Sequence, residues 1–435
     1  MQALNTVPHL VTANPGPLQI VEAQLLLKQT EIETWLRRQW QATPAPFYTS
    51  VDLRNAGFKL APVDTNLFPA GFNNLNPRLL PLAYHAVQAA MQQRFPRACN
   101  ILIIPENHTR NLYYLENLYA LKQILTQAGY STRIGSLSAE ITAPKTITLP
   151  SGKPLTLEPI LRKHDRITLT DFSPCLILLN NDLSGGRPAI LENLQQPILP
   201  PFEAGWDTRR KSGHFSIYGQ VAQEFSAMLG IDPWLIDPLM RNCGCIDFMK
   251  KEGYECLEQH VTDLLADIRR KYAEYGIEKK PFVFVKADSG TYGLGVMTVS
   301  SGEEIRNLNR KQRTRMDATK EGRKVESVLI QEGIYTSENF NGAVAEPVVY
   351  MIDHFVIGGF YRVHKNKTQS ENLNSPGMHF EPLAFAEPCN SPDCEQQPDS
   401  EPNRFYAYGV IARLAALAAA RELPGAGNPA ANGQT

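Results

Sequence analysis

The sequence predicts a mixed α/β (α+β) protein of two domains, and three observations carry that expectation. Cys99-Asn-Ile-Leu-Ile-Ile-Pro105 is a buried-type strand, followed by a polar turn, a helix to about Ala128 and a second strand near Ser131 to Leu137. That order is a β-α-β signal for a partly parallel sheet. Residues 281–299 give strand, glycine-rich turn, strand. Between the two lies a composition break at Pro200-Pro201 and Gly205. It divides an N-terminal α/β region, 1–204, from a second region, 205–423, and a Gly/Asn/Pro tail over 424–435 is expected to be disordered.

The elements follow from local pattern. Ile20 to Trp40 carries Val21, Leu25, Leu26, Ile32, Trp35 and Leu36 on roughly one helical stripe. Residues 47–74 mix strand-like pieces with Asp52, Arg54, Asp64, Asn66 and Asn73 among aromatics and glycines. A small-molecule pocket uses such groups, and so does an irregular loop built on Asx turns. Thr146 to Leu157 is a hairpin around Pro150-Ser-Gly-Lys153, and Cys175 to Leu179 is a buried strand ending in Asn180-Asn181-Asp182. In open α/β sheets ligands gather at the carboxyl ends of strands. The turns after Ile104 and Leu179 are therefore either substrate edges or solvated connections.

Beyond Gly205, Arg209, Arg210 and Lys211 precede a helix running to about Leu229. Cations there oppose the helix dipole, so an anion is expected to offset them. A second amphipathic helix spans Tyr254 to Tyr275, and Phe282 to Val285 is a buried strand that places Lys286 at its end. Gly290, Gly293 and Gly295 form a loop able to turn backbone N–H groups toward phosphate oxygens, with Val296 to Val299 as the returning strand. The alternative is a surface hairpin with a solvated lysine. There is no G-x-x-x-x-G-K-[ST] and no helix behind the glycines. Glu303 to Lys324 is a charged helix and loop without interleaved aromatics, which favours a solvated face over a nucleic-acid site. Ser327 to Ile330 is a strand, and Glu346 to Val363 is a hairpin turning at Asp353-His354, with Arg362 on an apolar strand. An arginine there needs an anion. Residues 384–403 are expected to be a mobile loop, and Tyr406 to Leu423 an alanine-rich helix.

Composition limits the classes. At 435 residues the chain exceeds one compact core, and its net charge of -1 argues against binding nucleic acid or a membrane surface by bulk charge. No apolar run reaches transmembrane length and no signal peptide is evident, so a soluble cytoplasmic protein is expected. Seven cysteines without framework spacing fit a reducing compartment. Cys243-Gly-Cys245 and the Cys389, Cys394 pair are expected to be unpaired thiols, and His108 and His214 ordinary polar histidines. Homo-oligomerisation is left open.

Taken together, residues 205–423 resemble an ATP-grasp domain. Lys211 matches that family's first nucleotide lysine and Lys286 its second, while Gly290 to Gly295 resembles the phosphate-covering loop, with Ser289 beside it as a further cofactor-binding candidate. Gln331 to Ile334 resembles the hinge that holds adenine through its backbone and ribose through a carboxylate, here Glu332. Arg362 resembles the arginine facing an acyl phosphate. Across nearly the full chain the sequence is similar to the proteobacterial glutamate–cysteine ligases. The matching segments are Val51 to Asn74, Asn180-Asn181-Asp182, Gly205 to Phe215, Phe284 to Val299 and Tyr361 to Gly377.

The resemblance implies ATP and Mg²⁺ as cofactors, L-glutamate and L-cysteine as substrates, and γ-glutamylcysteine, the first step towards glutathione, as product. It assigns Lys286, Arg362 and Lys211 to catalysis. Asp52, Arg54, Asp64 and Asn181 are candidates for the substrate. The family's E-x-N metal motif on a strand after the final helix is missing, so Glu346, Glu371, Asn372 and Asn374 are the metal candidates. Two alternatives remain: another carboxylate–amine ligase of glutathione synthetase type, and a nucleotide-binding regulator without catalysis.

Overall fold

The structure is a computed structural model that describes residues 17–107, 111–290, 295–317, 324–382 and 404–423. His108, Gly293, Cys389, Cys394, the 384–403 segment and the tail lie outside the described residues.

Among the described residues three large sheets carry the fold, beside a two-stranded ribbon of Leu161–Lys163 and Arg166–Thr168. The first has six strands, in the order Ile198–Leu199, Leu176–Asn180, Asn100–Pro105, Ser131–Ser136, Pro154–Pro159 and Lys145–Thr148. It is parallel up to Pro154–Pro159, and Lys145–Thr148 closes it antiparallel as the expected hairpin. The β-α-β signal is thus realised, with helix Leu112–Gln127 as the crossover. The second sheet has four antiparallel strands, Met240–Gly244, Ser327–Glu332, Val283–Ala287 and Val296–Val299. Its first strand was not expected from the sequence.

The third sheet places His379–Pro382, Phe355–His364, Ala343–Ile352, Tyr48–Asn55 and Leu60–Asn66 side by side, with Asn339–Phe340 pairing to Ala343–Ile352. Residues from both sides of Gly205 therefore share one sheet. The strand Tyr48–Asn55 runs antiparallel to Ala343–Ile352, with Asp52 opposite Val348. Sequence pattern alone gives strand identity, whereas such pairing depends on contacts nearly 300 residues apart.

The stripe over residues 20–40 forms two helices, Pro17–Leu27 and Gln29–Ala42, interrupted at Lys28. Lys28 Nζ donates to the carbonyls of Met228 and Leu229 at 3.2 and 3.4 Å, at the C-terminus of helix Lys211–Leu229. A cation suits that end of the dipole. Helix Arg404–Glu422 is buried from Tyr406 to Ala420 and packs on Lys211–Leu229 and on Leu60–Asn66. Its alanines permit that all-round approach.

One buried ion pair ties the third sheet to the second. Lys59, in the turn between Tyr48–Asn55 and Leu60–Asn66, is fully buried and reaches Glu332 Oε2 at 2.6 Å. Glu332 also accepts from the Trp234 indole N–H at 3.2 Å and from the Leu239 N–H at 3.0 Å. Burial works to lower the Lys59 pKa, and Glu332 opposes that. Removing one partner of such a pair leaves an uncompensated buried charge. Glu332→Ala is expected to destabilise the protein by roughly 3–5 kcal/mol, measured by urea denaturation. Unchanged stability in that variant would refute the structural role.

Candidate functional site

The period of two along a strand selects the site residues. Ser50, Asp52 and Arg54 alternate on one strand, Glu346, Val348 and Tyr350 on the next, and Phe360 and Arg362 on the third. All of them line one cavity on a face of the third sheet. Phe284 and Lys286, two apart on Val283–Ala287, close it from the second sheet. Trp206 and Lys211 at the start of a helix, with Asn372, Asn374 and Phe380, complete the wall.

The carboxylates and cations interlock. Glu346 sits directly opposite Arg362 in the strand register. Arg362 Nη1 donates to Glu346 Oε1 at 2.6 Å and to Asp52 Oδ2 at 2.8 Å. Arg54 Nε donates to the other Glu346 oxygen at 2.9 Å. Burial resists the charge on Glu346, but the Arg54 and Arg362 guanidiniums overcome it and hold its carboxyl below the usual range. Asp52 differs: desolvation raises its pKa, and Arg362 only partly counters that. The two remaining nitrogens of Arg54 donate to the carbonyls of Ile334 at 3.0 Å and Glu371 at 2.5 Å. The Arg362 Nε, also buried, has no partner among the described residues.

Two lysines lie across from this group. Lys286 Nζ donates to the Val63 carbonyl at 2.8 Å and to Gln331 Oε1 at 2.7 Å. Burial lowers its pKa to about 8, with Asp64 opposing. Lys211 Nζ meets Asp64 Oδ1 at 2.5 Å and lies 4.9 Å from the centre of the Trp206 ring. Desolvation works against ionisation of Asp64, yet Lys211 and Lys286 hold its pKa down at about 2. The helix behind Lys211 is anchored by Asp288, which accepts from Ser212 N–H at 2.7 Å and Ser212 Oγ at 2.8 Å. A carboxylate at a helix start suits the dipole.

The anions expected beside Arg209, Arg210 and Lys211 include carboxylates of the chain itself. Arg209 pairs with Glu422, and Lys211 with Asp64. His214 is buried between Glu422 and Thr65, at 2.9 Å from each, as an ordinary polar histidine.

The cavity therefore gathers Asp52, Arg54, Asp64, Lys211, Lys286, Gly290, Glu346, Arg362, Asn372 and Asn374 from the sequence-based candidates. Others stand apart. Glu332 is occupied by Lys59 and Trp234 and does not line the cavity, so its carboxylate is not free for a ribose. Gln331 and Ile334 act behind the wall, through Lys286 and Arg54. The Glu371 carboxylate folds back on its own turn, accepting from Lys367 Nζ, Thr368 N–H and Thr368 Oγ1, and is not on the wall. Ser289 and Gly295 flank the wall at Gly290 and Val296 without lining it. Asn181 faces a separate cavity with Glu106, Ser184 and Arg187, and its neighbour Asp182 lines the main one.

Sequence reasoning missed Trp206 and Phe284 as wall residues, and named Asp182 only as part of a turn that could be a substrate edge. A glycine gave one available signal. A Cβ on Gly290 would lie 2.1 Å from the Trp206 indole, so the loop requires glycine for that contact.

Comparison with known proteins supplies the identity. No curated protein matches the chain. A solved structure from Methylobacillus flagellatus KT, provisionally described as a gamma-glutamylcysteine synthetase, is 59% identical with a TM-score of 0.89. The match covers 96% of this chain and 98% of that one. Two further structures are far more distant. D-alanyl-alanine synthetase A from Vibrio cholerae is 11% identical at a TM-score of 0.34, covering 73% of this chain and 81% of that one. A glutathione synthetase-like effector from Globodera pallida is 11% identical at 0.36, covering 86% and 85%. Likenesses this loose carry no weight here. The family model GshA, glutamate-cysteine ligase, matches residues 22–423. The chain belongs to the glutamate-cysteine ligase family.

Proposed function

We propose that the cavity joins the γ-carboxylate of L-glutamate to the amine of L-cysteine at the expense of ATP, giving γ-glutamylcysteine, ADP and phosphate. The observation that supports this most is the convergence of Lys211, Lys286 and Arg362 on one cavity. Phosphoryl transfer needs positioning and charge neutralisation more than covalent help. In this reading the glutamate carboxylate oxygen attacks the γ-phosphorus and the bond to the ADP oxygen breaks. The cysteine nitrogen then attacks the carbonyl carbon of the acyl phosphate, and phosphate leaves with the bonding electrons.

Lys286 and Lys211 hold triphosphate oxygens, exchanging part of their contact with Val63 and Asp64 for the ligand. The unpartnered Arg362 Nε faces the acyl phosphate or the carboxylate that forms it. Asp52 accepts the ammonium of an amino-acid substrate. Arg54, with all three nitrogens engaged, holds Glu346 rather than substrate.

Asn372 and Asn374 bring two amides to the wall, an oxygen set that suits Mg²⁺ when phosphate oxygens and Glu346, released from one of its two guanidiniums, complete it. These residues would hold the ion, which supplies charge neutralisation at the phosphates. No described helix is long and apolar enough to cross a membrane, and the five described cysteines are free thiols, in keeping with a reducing cytoplasm.

Purified protein is expected to release ADP with glutamate plus cysteine, and not with γ-glutamylcysteine plus glycine. The reverse pattern would favour a glutathione synthetase-type ligase, and nucleotide binding without turnover a regulator. Lys286→Ala should lower kcat by on the order of 10²–10³ with the fold retained by circular dichroism. Near-normal turnover would remove the lysine from the reaction.

A bound triphosphate favours the ammonium form of Lys286, whose free-protein pKa is about 8. ATP affinity should therefore weaken as pH rises through about 8 and be fully present below it. An affinity that stays flat through that range would contradict the assignment.

A further inference from the structure

A second group of reactive side chains lies outside the cavity. Cys243 lies on the edge strand Met240–Gly244, and Cys256 and His260 lie on the helix Tyr254–Glu274. Residues four apart on a helix share a face one turn apart, so Cys256 and His260 are neighbours by spacing alone. The helix packs its inner side on that strand. Cys243 Sγ lies 3.3 Å from Cys256 Sγ, and Cys256 Sγ lies 3.9 Å from His260 Nδ1. All three donor atoms fall within 4.8 Å of one another. The sequence predicts Cys243 and Cys245 as unpaired thiols; the fold instead brings Cys256 beside Cys243.

A tetrahedral zinc centre, with Zn–S of about 2.3 Å and Zn–N of about 2.0 Å, separates neighbouring donors by about 3.5–3.8 Å. The observed separations straddle that interval. Cys243 is buried, Cys256 is exposed and His260 is half-buried, which gives one anchored ligand and an open route from solvent. Two sulfurs and one imidazole form a soft donor set that selects thiophilic cations over Mg²⁺ or Ca²⁺.

We propose that Cys243, Cys256 and His260 bind one thiophilic d¹⁰ cation, with Zn²⁺ as its representative, leaving a fourth position toward solvent. Two thiol protons are released as the two metal–sulfur bonds form. The ion clamps the helix Tyr254–Glu274 to the edge strand of the four-stranded sheet. Met240 on that strand pairs with Gln331, whose amide holds Lys286, so the clamp stiffens the support of the nucleotide lysine.

The test uses full-length protein, reduced and freed of metal by a chelator, titrated with Co²⁺ and followed by absorption. One Co²⁺ per chain is expected, with thiolate-to-metal charge-transfer bands that Zn²⁺ abolishes by displacement. Cys256→Ser and His260→Ala change surface-accessible positions and keep the fold. Each should weaken Co²⁺ binding by more than the roughly 10–100-fold that losing an outer-shell partner costs. Cys245→Ser should bind as the parent does. Zn²⁺ should raise Tm in the parent and not in Cys256→Ser. Absence of thiolate charge transfer would overturn the site, as would parental binding by Cys256→Ser. A Cys243–Cys256 disulfide forming in air, with no metal uptake after reduction, would also overturn it.

Discussion

Lys286 and Lys211, the two lysines proposed to hold the nucleotide, rest on consecutive residues of one strand. The Val63 carbonyl accepts Lys286 and the Asp64 carboxylate accepts Lys211. Thr65, the next residue, accepts Arg209 through its carbonyl at 2.7 Å and meets His214 through its hydroxyl. Three adjacent residues of Leu60–Asn66 thus fix four basic side chains that lie beyond Gly205. Buried cations are costly unless paired, and this strand supplies most of the pairing on its side of the cavity. Shifting its register by one residue would turn Asp64 away from Lys211.

The opposite wall follows the same logic with the signs reversed. Glu346 is held by two guanidiniums, and Arg362 by two carboxylates. Charge is balanced internally before any ligand arrives, so a ligand gains by exchange rather than by filling an empty field. In the proposed function, an entering triphosphate competes with Asp64 for Lys211, while the unpartnered Arg362 Nε needs no exchange at all. In the cavity, desolvation raises the pKa of Asp52 and lowers that of Lys286 despite the opposite charges beside each. Perturbed groups of this kind concentrate at functional sites.

Much of this was legible in the sequence because the strands obey a period of two. Once 346–363 is a hairpin, Glu346 and Arg362 can face each other, and Asp52 and Arg54 share a face on any strand. Lys286 at the end of Phe-Val-Phe-Val, followed by glycines, needed no tertiary information. Phase and pairing were not legible. Asn181 and Asp182 are equivalent in sequence, but the turn sends only Asp182 to the main cavity. Glu332 carries the residue type that a ribose ligand requires. Its capture by Lys59, 273 positions away, depends on which sheets stack. Trp206 earned no notice because a lone tryptophan before a basic cluster has many uses. The edge strand Met240–Gly244 lacks the apolar run that marks a buried strand, so it was not foreseen.

The account stands or falls on where the triphosphate lies. A crystal structure with a nonhydrolysable ATP analogue and Mg²⁺ measures this directly. The account predicts β- and γ-phosphate oxygens within hydrogen-bond distance of Lys211 and Lys286, on the side of the cavity facing Arg362. A nucleotide bound elsewhere, or one in the cavity with Lys286 still held by Val63 and Gln331 and no phosphate beside it, would contradict it.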